Sequence, residues 1–182
     1  MTSEPTAVSR LPALPEPPQD PTVREIFAAI LARGSRILNI HRVVALAPRM
    51  IAAQVRYTTA MRQESSLPRP QQQLIILRTL QVNGAAYELS VHRGATLALG
   101  VPQEKIDAVA SWQDSPLFDE QERAMLAVAE QAAGSGNVDD AVFAALARVL
   151  DPQGIVELAA LVAWYVGNSR FTKALRIKPE QA

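Results

Sequence analysis

The chain has 182 residues, 18 lysines and arginines against 18 aspartates and glutamates, and no cysteine. That length suits one domain with a real core. Zero formal net charge gives no general pull toward nucleic acid or an anionic membrane. Without cysteine, disulfides, thiolate nucleophiles, Cys-ligated zinc and iron–sulfur clusters are excluded.

The first 21 residues hold six prolines: Pro5, Pro12, Pro15, Pro17, Pro18 and Pro21. Proline lacks an N–H and disfavours helix in the residue before it, so residues 1–20 read as an extended arm, disordered or laid over a neighbouring surface. Asp20-Pro21 then reads as a helix cap and first helical position. Val23, Ile26, Phe27, Ile30 and Leu31 follow at helical spacing up to Gly34. Val43, Val44 and Leu46 predict a short helix. Pro48 opens another, carrying Met50, Ile51, Val55, Thr58 and Met61 on one side. After a break at Leu67–Pro70, a helix is predicted over Gln71–Val82. Its run Leu74-Ile75-Ile76-Leu77 could pass for a strand, but length and flanking glutamines favour helix.

Asn83 reads as the N-cap of a helix running to about Leu99 and closed by Gly100. Pro102 starts a short helix with Ile106 and Val109. Asp119 with Glu122 forms a capping-box-like start for a helix to about Ala133. Another helix carries Val142, Phe143, Leu146, Val149 and Leu150. Asp151-Pro152 repeats the cap-plus-proline signal before a last helix to about Arg170. No stretch alternates with period two, and no composition shift splits 21–178. The fold class expected is therefore all-α, with a single all-helical domain over 21–178. Met1 to Asp20 lacks the apolar core of a signal peptide, and no apolar run nears the ~20 residues of a membrane span. A soluble, cytoplasmic protein is expected, with no nucleic-acid or membrane partner.

Histidine is scarce, at His41 and His92. On one helix Glu88 and His92 lie four residues apart and share a face. A carboxylate one turn before an imidazole can fix its tautomer and raise its pKa, giving a proton donor or acceptor near neutral pH. Such spacing is also common on exposed helices, where it makes a surface ion pair.

The pattern Gln73-Leu74-Ile75-Ile76-Leu77-Arg78, Asn83-Gly84, Tyr87-Glu88 and His92 is similar to the core of the carboxymuconolactone decarboxylase family, related to alkylhydroperoxidase D. Phe118–Ala124, Ile155–Leu158 and Asn168–Phe171 resemble its later helices, and Leu38–Arg42 the entry segment of its longer members. The resemblance spans 21–178. It implies an alkylhydroperoxidase D-like bundle of helical hairpins, assembled as a trimer or hexamer. The peroxidase branch carries a Cys-x-x-Cys pair before the histidine. Matched on His92, those positions are Ala85 and Glu88, and the branch's upstream glutamate is Gln73. Thiolate attack followed by disulfide closure is therefore impossible here.

The decarboxylase branch needs no cysteine, metal or organic cofactor. The resemblance implies His92 and Glu88 as catalytic residues acting on a small carboxylated or lactone-type compound. Gln73, Tyr87 and Arg78 are its candidate substrate contacts. Each has a plainer reading. Arg78 reads first as an ion-pair partner for an interior carboxylate, and Gln73 belongs to a glutamine run. Trp164 and Tyr165 read as core or subunit interface, Trp112 as cover for a core edge, and His41 as a capping or packing residue. No His-rich spacing supports a metal site. Two alternatives stand beside the enzyme: a non-catalytic helical oligomer binding a small ligand or partner protein, and peroxidase activity assigned by family alone.

Overall fold

The computed structural model describes residues 8–180. Among them the secondary structure is entirely helical. In chain order the helices are α1 (Pro21–Ala32), α2 (Asn39–Val44), α3 (Pro48–Gln63), α4 (Arg69–Val82), α5 (Ala86–Ala98) and α6 (Gln103–Ala108). A 3-10 segment (Val109–Asp114) follows, then α7 (Glu120–Gly134), α8 (Asp140–Val149) and α9 (Pro152–Leu175). They group into two compact units, one of residues up to Thr59 with those from Phe171 on, the other Ala60–Arg170. The divisions fall within α3 and α9.

In the first unit the Asp20 carboxylate accepts from the Thr22 and Val23 amides at 2.8 and 3.2 Å, capping α1 as the sequence indicates. His41 serves as a cap: its Nδ1 accepts the Leu38 amide at 3.1 Å. The described part of the proline-rich arm, from Val8, has no regular structure but is tied down. The Arg10 amide donates to the Leu175 carbonyl at 3.0 Å, and the Lys178 amide to the Val8 carbonyl at 2.9 Å. Residues 1–7 of the expected arm lie outside the described residues. Asn39 anchors the other side of the terminal strap, donating from Nδ2 to the Lys178 carbonyl at 2.9 Å.

The second unit is organised about α4, which packs on α5 and α7, with α8 laid against α7. Gln72 to Leu77, Thr79 and Leu80 of α4 are all buried. A helix buried on most of its faces needs cover from several neighbours, and the run that could pass for a strand is this buried helix. Ile76 and Leu80 have no exposed surface, and burying each contributes about 1.5–3 kcal/mol. They pack with Met125, Ala129, Leu158, Leu161 and Tyr165. Leu74, Leu77, Ile106, Trp112 and Phe118 form a second cluster with Leu126.

One boundary differs from the sequence reading. Asn83 caps the end of α4 rather than the start of α5: its Nδ2 donates to the Thr79 carbonyl at 3.0 Å. Gly84, at φ +56°, then turns the chain, a backbone that favours glycine. Helix α5 begins after Ala85 without a side-chain cap. The Asp119–Glu122 capping box forms as read, with bonds of 2.8 and 3.1 Å. The Asp151 carboxylate caps α9 through the Gly154 amide at 2.8 Å. Helix α9 runs five residues past Arg170, to Leu175.

Candidate functional site

Helix α5 carries Glu88 and His92 on the face turned inward. Both are buried, at 4% and 8% exposure, so the pair is not a solvent-exposed ion pair. The neighbour that fixes the imidazole is on α4. Gln73, with no exposed surface, places Oε1 2.9 Å from His92 Nδ1. A carbonyl oxygen only accepts, so the proton sits on Nδ1 and Nε2 is left with its lone pair. The edge of the ring meets Tyr165 from α9, centroids 4.9 Å apart at 88°. Thr96, one turn further along α5, donates to the His92 carbonyl at 2.6 Å.

This arrangement reverses one expectation. Glu88 was read as the group that orients His92 and raises its pKa. Instead Gln73 holds Nδ1, and the pKa falls from 6.5 to about 3. Burial is the largest cause, followed by the positive charges of Arg62 and Arg69. His92 is therefore neutral at physiological pH, a hydrogen-bond acceptor and base through Nε2. Tyr165 shares these surroundings. Burial raises its phenol pKa, Arg62 and Arg69 oppose that, and Glu88 adds to it.

The two arginines enter from the end of α3 and the start of α4. Arg69 Nη1 donates to the Arg62 carbonyl and to Gln72 Oε1, each at 3.1 Å. Gln72 is itself locked by donating to the Leu67 carbonyl at 2.8 Å. Burial and the Arg62 charge both lower the Arg69 pKa. Two buried donors here have no hydrogen-bond partner, Arg62 Nε and Gln73 Nε2.

The other expected contacts lie differently. Arg78 is five residues from Gln73, about 140° around the helix, and is engaged by Glu130: its Nε and Nη2 lie 3.1 and 2.9 Å from Oε2. The same oxygen accepts from Trp112 Nε1 at 2.7 Å. The plainer reading of Arg78, an ion-pair partner, is the arrangement found. Tyr87 is half-buried on α5, its carbonyl accepting from Ser90 at 2.8 Å. Arg62, Arg69 and Tyr165 were not singled out as site residues from the sequence. Tyr165 lies 73 positions beyond His92 (165 − 92), in an apolar run that looks like core. No local signal marks it.

Elsewhere in this unit, α7, α8 and α9 enclose an apolar groove of about 760 Å³ whose lining includes Phe143, Ile155, Val162 and Val166. Among the described residues no helix is long and apolar enough to cross a membrane.

Comparison with known proteins agrees with this architecture. The uncharacterized protein YnjA of Escherichia coli K12 is 41% identical over 75 residues, a stretch covering 41% of this chain and 41% of that protein. A structure described as the alkylhydroperoxidase AhpD core, an uncharacterized peroxidase-related protein from Ralstonia eutropha JMP134, superposes with a TM-score of 0.81. The match covers 97% of this chain and 95% of that one at 20% identity. The apo debrominase Bmp8 gives a TM-score of 0.81 at 22% identity, covering 98% of this chain and 94% of its own. These likenesses establish an AhpD-like helical fold. Residues 48–131, which carry α4, α5 and the Gln73–His92 contact, match the carboxymuconolactone decarboxylase family. That segment is similar to the carboxymuconolactone decarboxylase family, and it lies in a cysteine-free chain with an AhpD-like fold.

Proposed function

We infer that this protein is a cofactor-free enzyme of the carboxymuconolactone decarboxylase type, moving a proton on a small carboxylated or lactone-type compound through His92, with Glu88 beside it. The observation that carries this reading is the buried imidazole of His92, with Nδ1 2.9 Å from the carboxamide oxygen of the wholly buried Gln73. Losing carbon dioxide from a carboxylated lactone breaks a carbon–carbon bond and leaves an electron pair in the conjugated system. That pair must be protonated. A buried imidazole in a low-dielectric site can take a proton from solvent or substrate and return it there. The anionic substrate assists: its charge offsets Arg62 and Arg69, which add to burial in opposing protonation of His92, and so raises the proton affinity of the imidazole. Thiol peroxidase chemistry has no part in this, because the chain has no cysteine.

A panel of lactones and keto acids, assayed with wild type and His92→Ala, tests the reading. Turnover of at least one substrate, falling at least about 100-fold in the variant, is expected for loss of a general acid–base group. Equal rates in the two proteins remove His92 from the mechanism. The apolar groove beside Phe143 favours a second reading, a helical oligomer that binds a small ligand or partner without catalysis. In that case no substrate on the panel turns over. Homo-oligomeric assembly belongs to both readings and is checked by sedimentation.

A further inference from the structure

The arginine pair beside His92 has more positive charge and more donors than the protein itself uses. Arg62 and Arg69 are the cations that act on both His92 and Tyr165, and Glu88 is the carboxylate that acts on Tyr165. Two positive side chains thus act on these rings against a single carboxylate. The two guanidinium groups also repel each other, and neither is fully bathed in water. Alongside this excess stand two buried donors without acceptors: Arg62 Nε, and Nε2 of the wholly buried Gln73. An unmade hydrogen bond on a buried donor costs about 1–3 kcal/mol. Such a cost persists where a bound group satisfies the donor.

We propose that Arg62, Arg69 and the Gln73 carboxamide form a carboxylate-binding subsite next to His92. A carboxylate supplies what the cluster lacks: a negative charge and two acceptor oxygens in one plane, which match a guanidinium fork and a carboxamide N–H. The architecture presets the donors. Arg69 is pinned by the Arg62 carbonyl and Gln72, and Gln72 by the Leu67 carbonyl. Gln73 is pinned by His92, so its free N–H direction is fixed by the bond its Oε1 makes. The subsite therefore selects the acid over its neutral ester or amide, and it seats the carboxylate beside the imidazole whose proton affinity it raises. This inference rests on the proposed function in placing a substrate there, but its test does not depend on turnover.

The test is binding of acetate against its isosteric neutral analogue acetamide, at constant ionic strength set with sodium chloride. The readout is the ring-nitrogen resonances of His92 by NMR. Acetate is expected to shift them saturably, and acetamide is not. Arg62→Gln and Arg69→Gln are each expected to weaken acetate binding at least fivefold. Gln73→Glu keeps the length of the side chain but puts a resident carboxylate where the ligand's belongs. It is expected to abolish binding while the protein stays folded, so the proposal does not hang on the arginine variants alone. Equal shifts with acetamide, undiminished binding by Gln73→Glu, or no saturable shift with acetate overturns the subsite. Acetate is not a substrate for decarboxylation. Loss of the catalytic reading through His92→Ala therefore leaves this result standing, and the reverse also holds.

Discussion

Acidification tests the central electrostatic claim directly. His92 titrates near 3 in the folded protein, against 6.5 for an ordinary imidazole. Because the folded pKa is depressed, the unfolded chain takes up this proton first as pH falls. Stability is therefore full above about pH 6.5 and declines toward pH 3, by about 1.4 kcal/mol for each pH unit. Over the whole window, about 3.5 pH units, that is on the order of 5 kcal/mol. Between pH 7 and pH 5 it is about 2 kcal/mol. Carboxylates also titrate toward the lower end of this range, so the contribution is isolated with His92→Gln, which cannot ionise. Urea unfolding of both proteins at pH 7, 6 and 5 gives the difference. The advantage of wild type over the variant is expected to shrink by about 2 kcal/mol from pH 7 to pH 5. A difference that stays constant within about 0.5 kcal/mol refutes a buried, neutral His92. With only His41 as a second histidine, NMR can follow the same ring, expected to remain neutral at pH 5.

Three further outcomes follow from the packing and the composition. Leu80→Ala, at a site with no exposed surface, is expected to cost about 2–5 kcal/mol in urea unfolding, and a loss below ~1 kcal/mol contradicts the core assignment. Asp119→Ala removes the acceptor for the Glu122 amide at 2.8 Å and is expected to cost about 1 kcal/mol, with an unchanged unfolding midpoint as the contrary result. Hydrogen peroxide supplied with a dithiol reductant is expected to be consumed no faster than in a protein-free control, because no thiolate is available; clear turnover by pure protein contradicts that.

The elements were legible in the sequence where local chemistry alone sets them. Asp20-Pro21, Asp119 with Glu122, and Asp151-Pro152 each satisfy the orphan amides of a helix start from within one turn, so a short window contains the whole cause. Asn83 was ambiguous because the same side chain can cap either neighbouring helix, and the backbone at Gly84 decides which. The Glu88–His92 spacing placed both residues on one face of α5, since four residues make about one turn, and the fold buries both. Sequence also fixed one exclusion outright: without cysteine there is no thiol chemistry.

Tertiary structure alone decided the state of the imidazole. From spacing, the nearest charge to His92 is Glu88, and an adjacent carboxylate raises a histidine pKa. In the fold the ring is buried, bound to Gln73 from 19 positions upstream and flanked by the charges of Arg62 and Arg69. Desolvation and like charge both oppose protonation, and neither can be read from residues one turn away. Packing likewise brought Tyr165 to the ring and tied Arg78 to Glu130. Backbone hydrogen bonds and helix caps are local and travel with the sequence, whereas an electrostatic environment is a sum over space that exists only once the helices have met.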